Sequence, residues 1–368
     1  MRNEVVNHYP KVTKSLKGEI TMKYPEWEEL KESLLDSRGS VSNCFPMIEA
    51  DMPTFMGQPY TATPEELKGA DVVIIGSPYV ASWSDTYCGV DKKEWIAAPK
   101  RVRQQSIKYR SGYIQEFDLD LFEHLKVVDF GDADIPAEVH DRQTPNNILK
   151  AQQAVETKVN QALDVGAIPI VIGQNSPCSS YAIAKPIAER TKGNVGMISI
   201  DTHWDIEEID TTTMDPRIAG QGSWKTKAYE FHENLLQKNL VEIGERGMLE
   251  DKNRVRDFLK KGTHWYPMWK LREIGIEGLC KDLHYAHDGT DAVYVHYDMD
   301  VVGGDSLGIA AEPIGMTDYE VLKLSFEVGK SGFNALSFIC IPPGSAVMYR
   351  TIVYVIMYML AGKVLAKK

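Results

Sequence analysis

Ionisable residues stand at alternate positions directly after an apolar run in the segment "ISIDTHWDIEE" (198–208). They are Asp201, His203 and Asp205. In extended backbone, alternate side chains share one face, so these side chains could converge on a single point. Two interpretations are open. The segment is either the solvated end of a strand or a metal site, because carboxylates and imidazoles are common ligands of divalent metals.

A second apolar run, "AVYVHYDMD" (292–300), ends in Asp298 and Asp300. If both runs are neighbouring strands, their carboxylates gather at one buried edge and repel one another strongly without a cation. A pair of divalent ions would supply that charge and make hydroxide available near neutral pH. Each motif alone is a weak signal, because acidic residues often end strands. Together they favour a metal site, whereas the remaining histidines, His296 among them, have no comparable setting.

The elements that would position these residues are short apolar runs that alternate with helical patterns. Near-continuous apolar runs are typical of strands covered on both faces. The runs predicted as strands are 71–78, 125–132, 167–173, 194–201, 240–244, 292–300 and 335–341. The segments with helical periodicity are 145–166, 179–193 and 317–332, the last with Thr317 and Glu320 as a capping box. The alternation predicts an α/β fold with a mainly parallel sheet, whose ligands bind beyond the carboxyl ends of the strands.

The chain shows no internal repeat and no convincing linker. We therefore expect one domain over residues 66–368, after a polar N-terminal extension, residues 1–65, with a helix at 25–36.

Composition excludes several classes of function. The 368 residues are 43% hydrophobic and 25% charged, with a formal net charge of -11. Such an acidic chain is a poor candidate for binding nucleic acid or an anionic membrane, since both attract Lys and Arg.

The cysteines and the apolar segments indicate where the protein works. The five cysteines are widely spaced, which predicts mostly buried thiols in a reducing compartment. The N-terminus lacks the apolar stretch of a signal peptide. The run "TIVYVIMYMLAG" (351–362) is too short to span a bilayer and predicts a buried C-terminal helix. The expected location is the cytoplasm.

These motifs carry a family resemblance. "DTHWD" (201–205) and "DMD" (298–300) resemble the two aspartate-rich metal motifs of the ureohydrolase superfamily, which includes arginases and agmatinases. Other stretches resemble that superfamily in the same order along the chain: "MPTFMGQPY" (52–60), "IIGSPY" (74–79), "APKRVRQQS" (98–106), "VVDFGDADI" (127–135), "GAIPIVIGQNS" (166–176) and "EPIGMT" (312–317). The resemblance implies a three-layer α/β/α arginase-like fold, trimers or hexamers, and hydrolysis of a guanidino-type C–N bond by a metal-bridging hydroxide.

The resemblance also implies roles for the acidic residues. Asp201 and Asp298 would bridge two metal ions. Asp205 would complete the shell of one ion, and His203 and Asp300 would complete the shell of the other. Asp201, His203 and Asp298 are therefore the expected catalytic residues.

The sequence departs from the superfamily pattern at three places. In "IGQNS" (172–176), Asn175 stands where the superfamily has a metal-binding His, and Gln174 replaces an Asp. An amide oxygen is a poor replacement for imidazole on a transition metal, so Asn175 would be a weak ligand. In "GQGSWKT" (220–226), Trp224 replaces a loop His that shuttles protons. The stretch "LSFICIPPG" (336–344) lacks the Glu that faces the guanidinium, a charge-assisted hydrogen bond worth roughly 1.5–3 kcal/mol.

Two interpretations follow. In the first, the chain is a hydrolase of an unusual, more apolar guanidine-like substrate, with Trp83, Trp204 and Trp224 lining the pocket. In the second, it is a degenerate, non-catalytic subunit that supports an active paralogue in a hetero-oligomer. The metal would be Ni²⁺ or Mn²⁺, as a binuclear centre if the site is intact and as one ion or none otherwise.

The departures make the chain similar to nickel-dependent hydrolases of guanidine and biguanide compounds, which pair two related but unequal subunits. That resemblance implies a small cationic substrate. Metformin, converted to guanylurea and dimethylamine, is the narrowest expectation.

Overall fold

The computed structural model describes residues 11–14, 20–23, 46–80, 91–303 and 312–366, with side chains from residue 46 onward except at 141. The helix expected at 25–36 lies outside the described residues, as do Trp83, Cys44 and Cys88. Of the other cysteines, Cys178 and Cys340 are buried and Cys280 is partly buried, all as free thiols.

An eight-stranded sheet forms the centre of the domain. In chain order its strands are β1 (Val72–Gly76), β2 (Val127–Asp132), β3 (Ile168–Ile172), β4 (Val195–Ile200), β5 (Leu235–Ile243), β6 (His264–Tyr266), β7 (Ala292–Asp298) and β8 (Ala335–Ile339). Across the sheet the order is β6-β5-β4-β7-β8-β3-β1-β2, and every pairing is parallel. The predicted strands are all present. The additional strand β6 was missed, because its three residues, His, Trp and Tyr, do not make an apolar run.

Helices cover both faces of the sheet. They are α1 (Lys92–Ile96), α2 (Ala98–Ser106), α3 (Ala137–Asp141), α4 (Pro145–Asp164), α5 (Ala182–Arg190), α6 (Trp224–Phe231), α7 (Lys252–Lys260), α8 (Met268–Cys280), α9 (Asp318–Ser331) and α10 (Ala346–Leu365). Short 3₁₀ turns include Pro64–Leu67, Leu283–Ala286 and Met299–Val301, and a π-helical turn, Pro177–Tyr181, precedes α5.

Successive side chains of a strand point to opposite faces of the sheet and belong to two separate apolar clusters. In β1, Val72 and Ile74 belong to the cluster that contains α2, α8, α9 and α10. Val73 and Ile75 point the other way, into the cluster that contains α4, α5, α6 and α7. Because both faces of the sheet are covered in this way, the three-layer α/β/α prediction is confirmed.

Local signals explain where two predicted helices begin and end. Helix α4 starts after Thr144, whose side chain accepts a hydrogen bond from the backbone N–H of Asn147, and it stops before Gly166 at φ +77°. Helix α9 begins with the predicted capping box of Thr317 and Glu320.

The C-terminal helix α10 is longer than the apolar run that predicted it. At 20 residues it is long and apolar enough to cross a membrane by length and composition alone, so the argument from length was wrong. However, 67% of its most apolar stretch is buried inside the domain, as expected for a core helix.

Part of the N-terminal segment packs against the domain. Phe55 and Met56 are buried in the first cluster, and the Thr61 backbone N–H donates to the Asp129 carbonyl at 3.1 Å. Short antiparallel pairs join Lys11–Lys14 to Ile20–Lys23, Met47–Glu49 to Met52–Pro53, and Tyr113–Ile114 to Leu119–Asp120.

Candidate metal centre

The two acidic motifs meet because their strands are neighbours. Ile200 at the end of β4 is in register with Tyr297 of β7, so Asp201 and Asp298 follow side by side at the carboxyl edge of the sheet. Asp201 and Asp298 are 0% and 3% exposed, and Asp300 is 1% exposed. The interpretation as a solvated strand end is therefore wrong.

Backbone N–H groups hold the carboxylates in place. The Asp201 Oδ1 accepts from the His203 N–H at 2.7 Å, and the Asp298 Oδ1 accepts from the Asp300 N–H at 2.9 Å. The Asp300 Oδ1 accepts from the Thr202 N–H at 3.2 Å, which ties the two motifs together. One oxygen of each carboxylate is thus fixed by the loop that carries it or by its neighbour.

Ligand atoms of these side chains converge within 4.8 Å of one another in two overlapping groups. The first contains Asp201, His203 and Asp300, and the second contains Asp298, Asp300 and Cys340. The His203 Nδ1 lies 3.1 Å from the Asp300 Oδ2. Of the predicted metal ligands, the structure therefore brings together Asp201, His203, Asp298 and Asp300.

Crowding of like charges shifts the pKa values of this cluster. Burial, followed by the neighbouring Asp300 and Asp201, raises the pKa of Asp298 well above its usual range. Burial also opposes a charge on His203, but Asp300 and Asp201 outweigh it and raise the pKa of His203 to about 9. Carboxylates held this close repel one another, and a bound cation would relieve that repulsion.

Unpaired oxygens point into the cluster. Within the described part of the chain, the Asp201 Oδ2 and the Asp300 Oδ2 are buried without an assigned hydrogen-bond partner, although the His203 Nδ1 lies 3.1 Å from the Asp300 Oδ2. Buried polar atoms rarely lack partners, so these two oxygens are themselves a sign of a missing ligand. Carboxylates with an imidazole suit a divalent cation, and the residues present fit a metal ion.

Asp205 differs from the other acidic residues of its motif. It has a φ of +52°, and its Oδ2 accepts a hydrogen bond of 2.9 Å from the Trp224 indole N–H. Burial, together with Asp201, raises the pKa of Asp205 well above its usual range. Asp205 belongs to none of the convergent groups, so its assignment as a ligand stays a prediction.

Asn175 and Gln174 follow β3 at the same edge of the sheet. Gln174 is structural. Its side chain accepts from the Ile341 N–H at 2.7 Å and donates to the Ile341 carbonyl at 2.8 Å. The Asn175 amide nitrogen donates to the Gln221 Oε1 at 3.3 Å, and Asn175 is 4% exposed. Its role as a weak ligand also stays a prediction.

His296 lies in the centre, and the expectation that it had no comparable setting was wrong. It is fully buried on β7, with its Nε2 3.5 Å from the Asp201 Oδ2, and it forms a third convergent group with Asp201 and Asp298. Its Nδ1 lies 3.5 Å from the Ser337 Oγ. The signal was available in the sequence, because His296 and Asp298 are two residues apart on one strand and must share a face.

Lys225 is a second residue that sequence reasoning missed. It lies in the first turn of α6 and is 0% exposed. Its Nζ is 3.1 Å from the Glu242 Oε1 and 3.5 Å from the Asp201 Oδ2. Nothing in its local sequence distinguishes it from a surface lysine.

Two of the tryptophans predicted to line a pocket, Trp204 and Trp224, are instead packed against other aromatic rings. Trp204 is 2% exposed and packs against Phe258 and Trp265, with ring centroids 6.3 and 5.5 Å away. Trp224 is 0% exposed, and its ring centroid is 4.7 Å from that of His296. This packing encloses both rings and does not support the prediction that they stack on a substrate. Trp83 lies outside the described residues.

Comparison with known proteins agrees with this fold. The family model described as "Arginase family" matches residues 70–350. Proclavaminate amidinohydrolase from Streptomyces clavuligerus is 26% identical over 292 residues, which cover 76% of this chain and 82% of that protein. Among solved structures, formimidoylglutamase from Bacillus subtilis has a TM-score of 0.69 at 19% identity, covering 93% of this chain and 99% of that one. Formiminoglutamase from Trypanosoma cruzi, solved with Mn²⁺, has a TM-score of 0.66 at 22% identity, covering 85% and 99%.

The fold is thus that of a ureohydrolase. The chain belongs to the arginase family. At the level of the superfamily, this membership supports a metal-dependent hydrolase of guanidino or amidine groups, and the Asp and His side chains of this chain are capable of holding a metal.

Proposed function

We propose that the chain is a subunit of a metal-dependent C–N hydrolase that acts on a guanidine- or biguanide-type compound. The observation that carries the proposal is the convergence of Asp201, His203, Asp298 and Asp300, all buried, at the carboxyl ends of two adjacent parallel strands. In open α/β sheets that edge is where ligands bind.

Asp201, His203, Asp298 and Asp300 are the residues that would hold divalent metal. When bound there, such ions lower the pKa of a coordinated water and polarise the group under attack. Carboxylate and imidazole donors suit both Mn²⁺ and Ni²⁺, so the donor set alone supports either metal.

The side chains of this chain orient the site before any substrate arrives. Asp201, Asp298 and Asp300 each commit one oxygen to a backbone N–H, so their remaining oxygens keep a fixed direction. A fixed set of anionic oxygens is a preorganised environment for a cation that develops or moves during hydrolysis. His203, hydrogen-bonded through its backbone N–H to Asp201, presents its ring to Asp300.

The substrate end of the site differs from that expected for a simple guanidinium. Cys340 lies beside Asp298 and Asp300 in "ICIPP" (339–343), in the stretch where the superfamily has a Glu-Val-x-Pro setting. Burial, reinforced by Asp298 and Asp300, raises the pKa of the Cys340 thiol well above its usual range, so it is a neutral group. A neutral group in place of a carboxylate favours a substrate with an apolar substituent on the amidine.

Metformin fits that description, because its guanidine carries two methyl groups. Hydrolysis would break the bond between the amidino carbon and the dimethylamino nitrogen. Water supplies the oxygen that stays on the carbon as guanylurea. One of its protons leaves on the dimethylamine nitrogen, and the other stays on guanylurea, whose C=NH becomes a carbonyl with an NH2 group.

The direct test is turnover by the purified chain. Loaded with Ni²⁺ or Mn²⁺ and assayed against arginine, agmatine, guanidine and metformin, the wild-type chain should release amine or urea-type product. Asp298→Asn should lower the rate at least 100-fold, because it removes one anionic donor. The control Asp282→Asn, whose carboxylate bonds the Tyr266 hydroxyl at 2.6 Å elsewhere in the fold, should keep the rate within about threefold. Equal rates for wild type and Asp298→Asn would refute the proposal.

The second candidate function is that of a non-catalytic subunit supporting an active paralogue. It is favoured by the ligands of the ion that Asp205 would complete, here called the second ion, to which we also assign Asn175. Asn175 replaces a histidine, and Asp205 is engaged by Trp224. A supporting chain should be inert alone and should restore activity when mixed with a paralogue that carries a full Gly-Gly-Asp-His-Ser motif. Its Asp298→Asn variant should restore activity equally well.

Assembly is part of the same proposal. We expect trimers or hexamers, alone or with the paralogue, and light scattering after size-exclusion chromatography would give the mass of each. A monomer at micromolar concentration, in the presence and in the absence of the paralogue, would contradict this expectation.

A further inference from the structure

Lys225 places a buried positive charge inside the acidic centre. Its side chain is 0% exposed, and its Nζ lies 3.5 Å from the Asp201 Oδ2 and 3.4 Å from the His203 carbonyl. Glu242, on β5, contacts the same ammonium at 3.1 Å. A buried ammonium is retained only where anionic groups compensate for the loss of water, so Lys225 is part of the charge balance of this centre.

The ammonium faces the oxygen that a second metal ion would need. The Asp201 Oδ2 has no hydrogen-bond partner within the described residues, and both the Lys225 Nζ and the His296 Nε2 stand 3.5 Å from it. A divalent ion bound to this oxygen would lie close to a full positive charge in a buried setting. Electrostatic repulsion at such a distance and burial is strong.

The other ligands expected for that ion are also engaged. The amide nitrogen of Asn175 donates to Gln221, and the Oδ2 of Asp205 accepts from the Trp224 indole. Trp224 and Lys225 are consecutive residues at the start of α6, so one short segment contacts both Asp205 and Asp201. The Lys225 backbone N–H also donates to the Asp205 carbonyl at 3.3 Å.

The ligands expected for the first ion, His203 and Asp300, have different contacts. The His203 Nδ1 and the Asp300 Oδ2 lie 3.1 Å apart and converge with Asp201 within 4.8 Å. The His203 ring becomes a neutral ligand when a metal binds. The Arg246 guanidinium also reaches Asp300, but it donates to the backbone carbonyl at 2.9 Å.

We infer that the Lys225 ammonium replaces the second divalent ion as the counter-charge of Asp201, so that each chain holds one divalent ion, on His203 and Asp300 together with Asp201 and Asp298. The inference rests on the metal-binding part of the proposed function and not on turnover. A chain that binds one ion without hydrolysing anything satisfies it, whereas an active chain with two ions does not.

Metal content is the test. Full-length chain is stripped with chelator, loaded separately with excess Mn²⁺ and Ni²⁺, dialysed, and measured by plasma mass spectrometry and by isothermal titration. Wild type should hold one ion per chain, and His203→Ala should hold none. Two ions in wild type, or an unchanged count in His203→Ala, would overturn the inference.

Variants separate the ammonium from the missing imidazole. Lys225→Met keeps the length of the side chain without its charge, and with Asn175→His added it should raise the count from one ion to two. Asn175→His alone should stay at one. Lys227→Met, which removes a lysine of the same helix that pairs with Glu230 instead, should also stay at one.

Other counts would show that Asn175, and not Lys225, prevents a second ion from binding. If Asn175→His alone holds two ions, or if the double variant holds one, Lys225 is only the partner of Glu242. Because Lys225→Met leaves Glu242 buried and unpaired, the same counts are taken with Glu242→Gln added, which keeps that pair neutral. If the Met variants do not fold, Lys225→Gln with Asn175→His is counted in their place, and a single ion in that folded chain overturns the role of Lys225.

Discussion

At the scale of single residues, some residues of the site can be predicted from their alternate spacing in the sequence, whereas others are recognised only from their packing in the fold. Asp201, His203, Asp298 and Asp300 were predictable, because two apolar runs end in acidic residues at strand-like spacing. His296 was equally predictable from its spacing to Asp298 and was missed. Lys225 was not predictable, because its burial depends on how the first turn of α6 packs against β4 and β5.

Trp224 gives a prediction at this scale. Trp224→Phe removes the indole N–H and leaves a buried oxygen of Asp205 without its donor. It should lower the free energy of unfolding by about 1–3 kcal/mol beyond the loss in packing. Urea denaturation of metal-free protein measures this quantity.

Trp265→Phe is the matched control for that variant. Within the described residues, the Trp265 Nε1 has no hydrogen-bond partner, so its loss removes packing alone. If Trp265→Phe is as destabilising as Trp224→Phe, the hydrogen bond to Asp205 contributes nothing measurable.

At the scale of elements, the sheet edge depends on contacts that fix strands and helices relative to each other. Arg103 of α2 is 0% exposed and binds both carboxylate oxygens of Asp129 on β2, at 2.8 and 3.0 Å. It also reaches Asp132 at 2.5 Å. The strands themselves were predictable from apolar runs. This buried ion pair was not, since it joins residues 26 positions apart through the packing of a helix on a sheet.

Arg103→Met should therefore be strongly destabilising. It leaves the Asp129 carboxylate buried without its partner, which should cost about 3–5 kcal/mol in the free energy of unfolding. Arg101→Met, on the same helix, removes an exposed pair with Glu94 and a hydrogen bond of 3.1 Å to the Gln104 Oε1, and it should cost less than about 1 kcal/mol. Similar urea midpoints for the two variants would show that the Arg103 pair does not hold α2 to the sheet.

At the scale of the whole molecule, the order of the strands brings β4 and β7 together and so creates the metal centre. Strand–helix alternation predicts a parallel sheet, but it does not give the order of eight strands. That order comes from the structure. The resemblance indicated the arginase-like fold, which the match to residues 70–350 supports. Neither the partner subunit nor the cytoplasmic location follows from the fold, and both stay predictions.

Metal binding should stabilise the whole domain, because only the folded chain assembles the ligands. At a free Mn²⁺ or Ni²⁺ concentration about 100 times the dissociation constant, the free energy of unfolding should rise by about 2.7 kcal/mol. Chelator should reverse the effect, and Asp300→Asn should abolish it. Asp257→Asn, an exposed acid paired with Lys261, should respond as wild type does. Stabilisation that survives in Asp300→Asn would place the ion elsewhere.

The most direct test of the central claim is an anomalous-scattering map of a crystal grown with Mn²⁺ or Ni²⁺. Our account predicts one peak per chain, in contact with His203 and Asp300 and bordered by Asp201 and Asp298, with the Lys225 ammonium still beside Asp201. A map with no peak among these residues, or a crystal in which their side chains diverge, would contradict the metal centre itself.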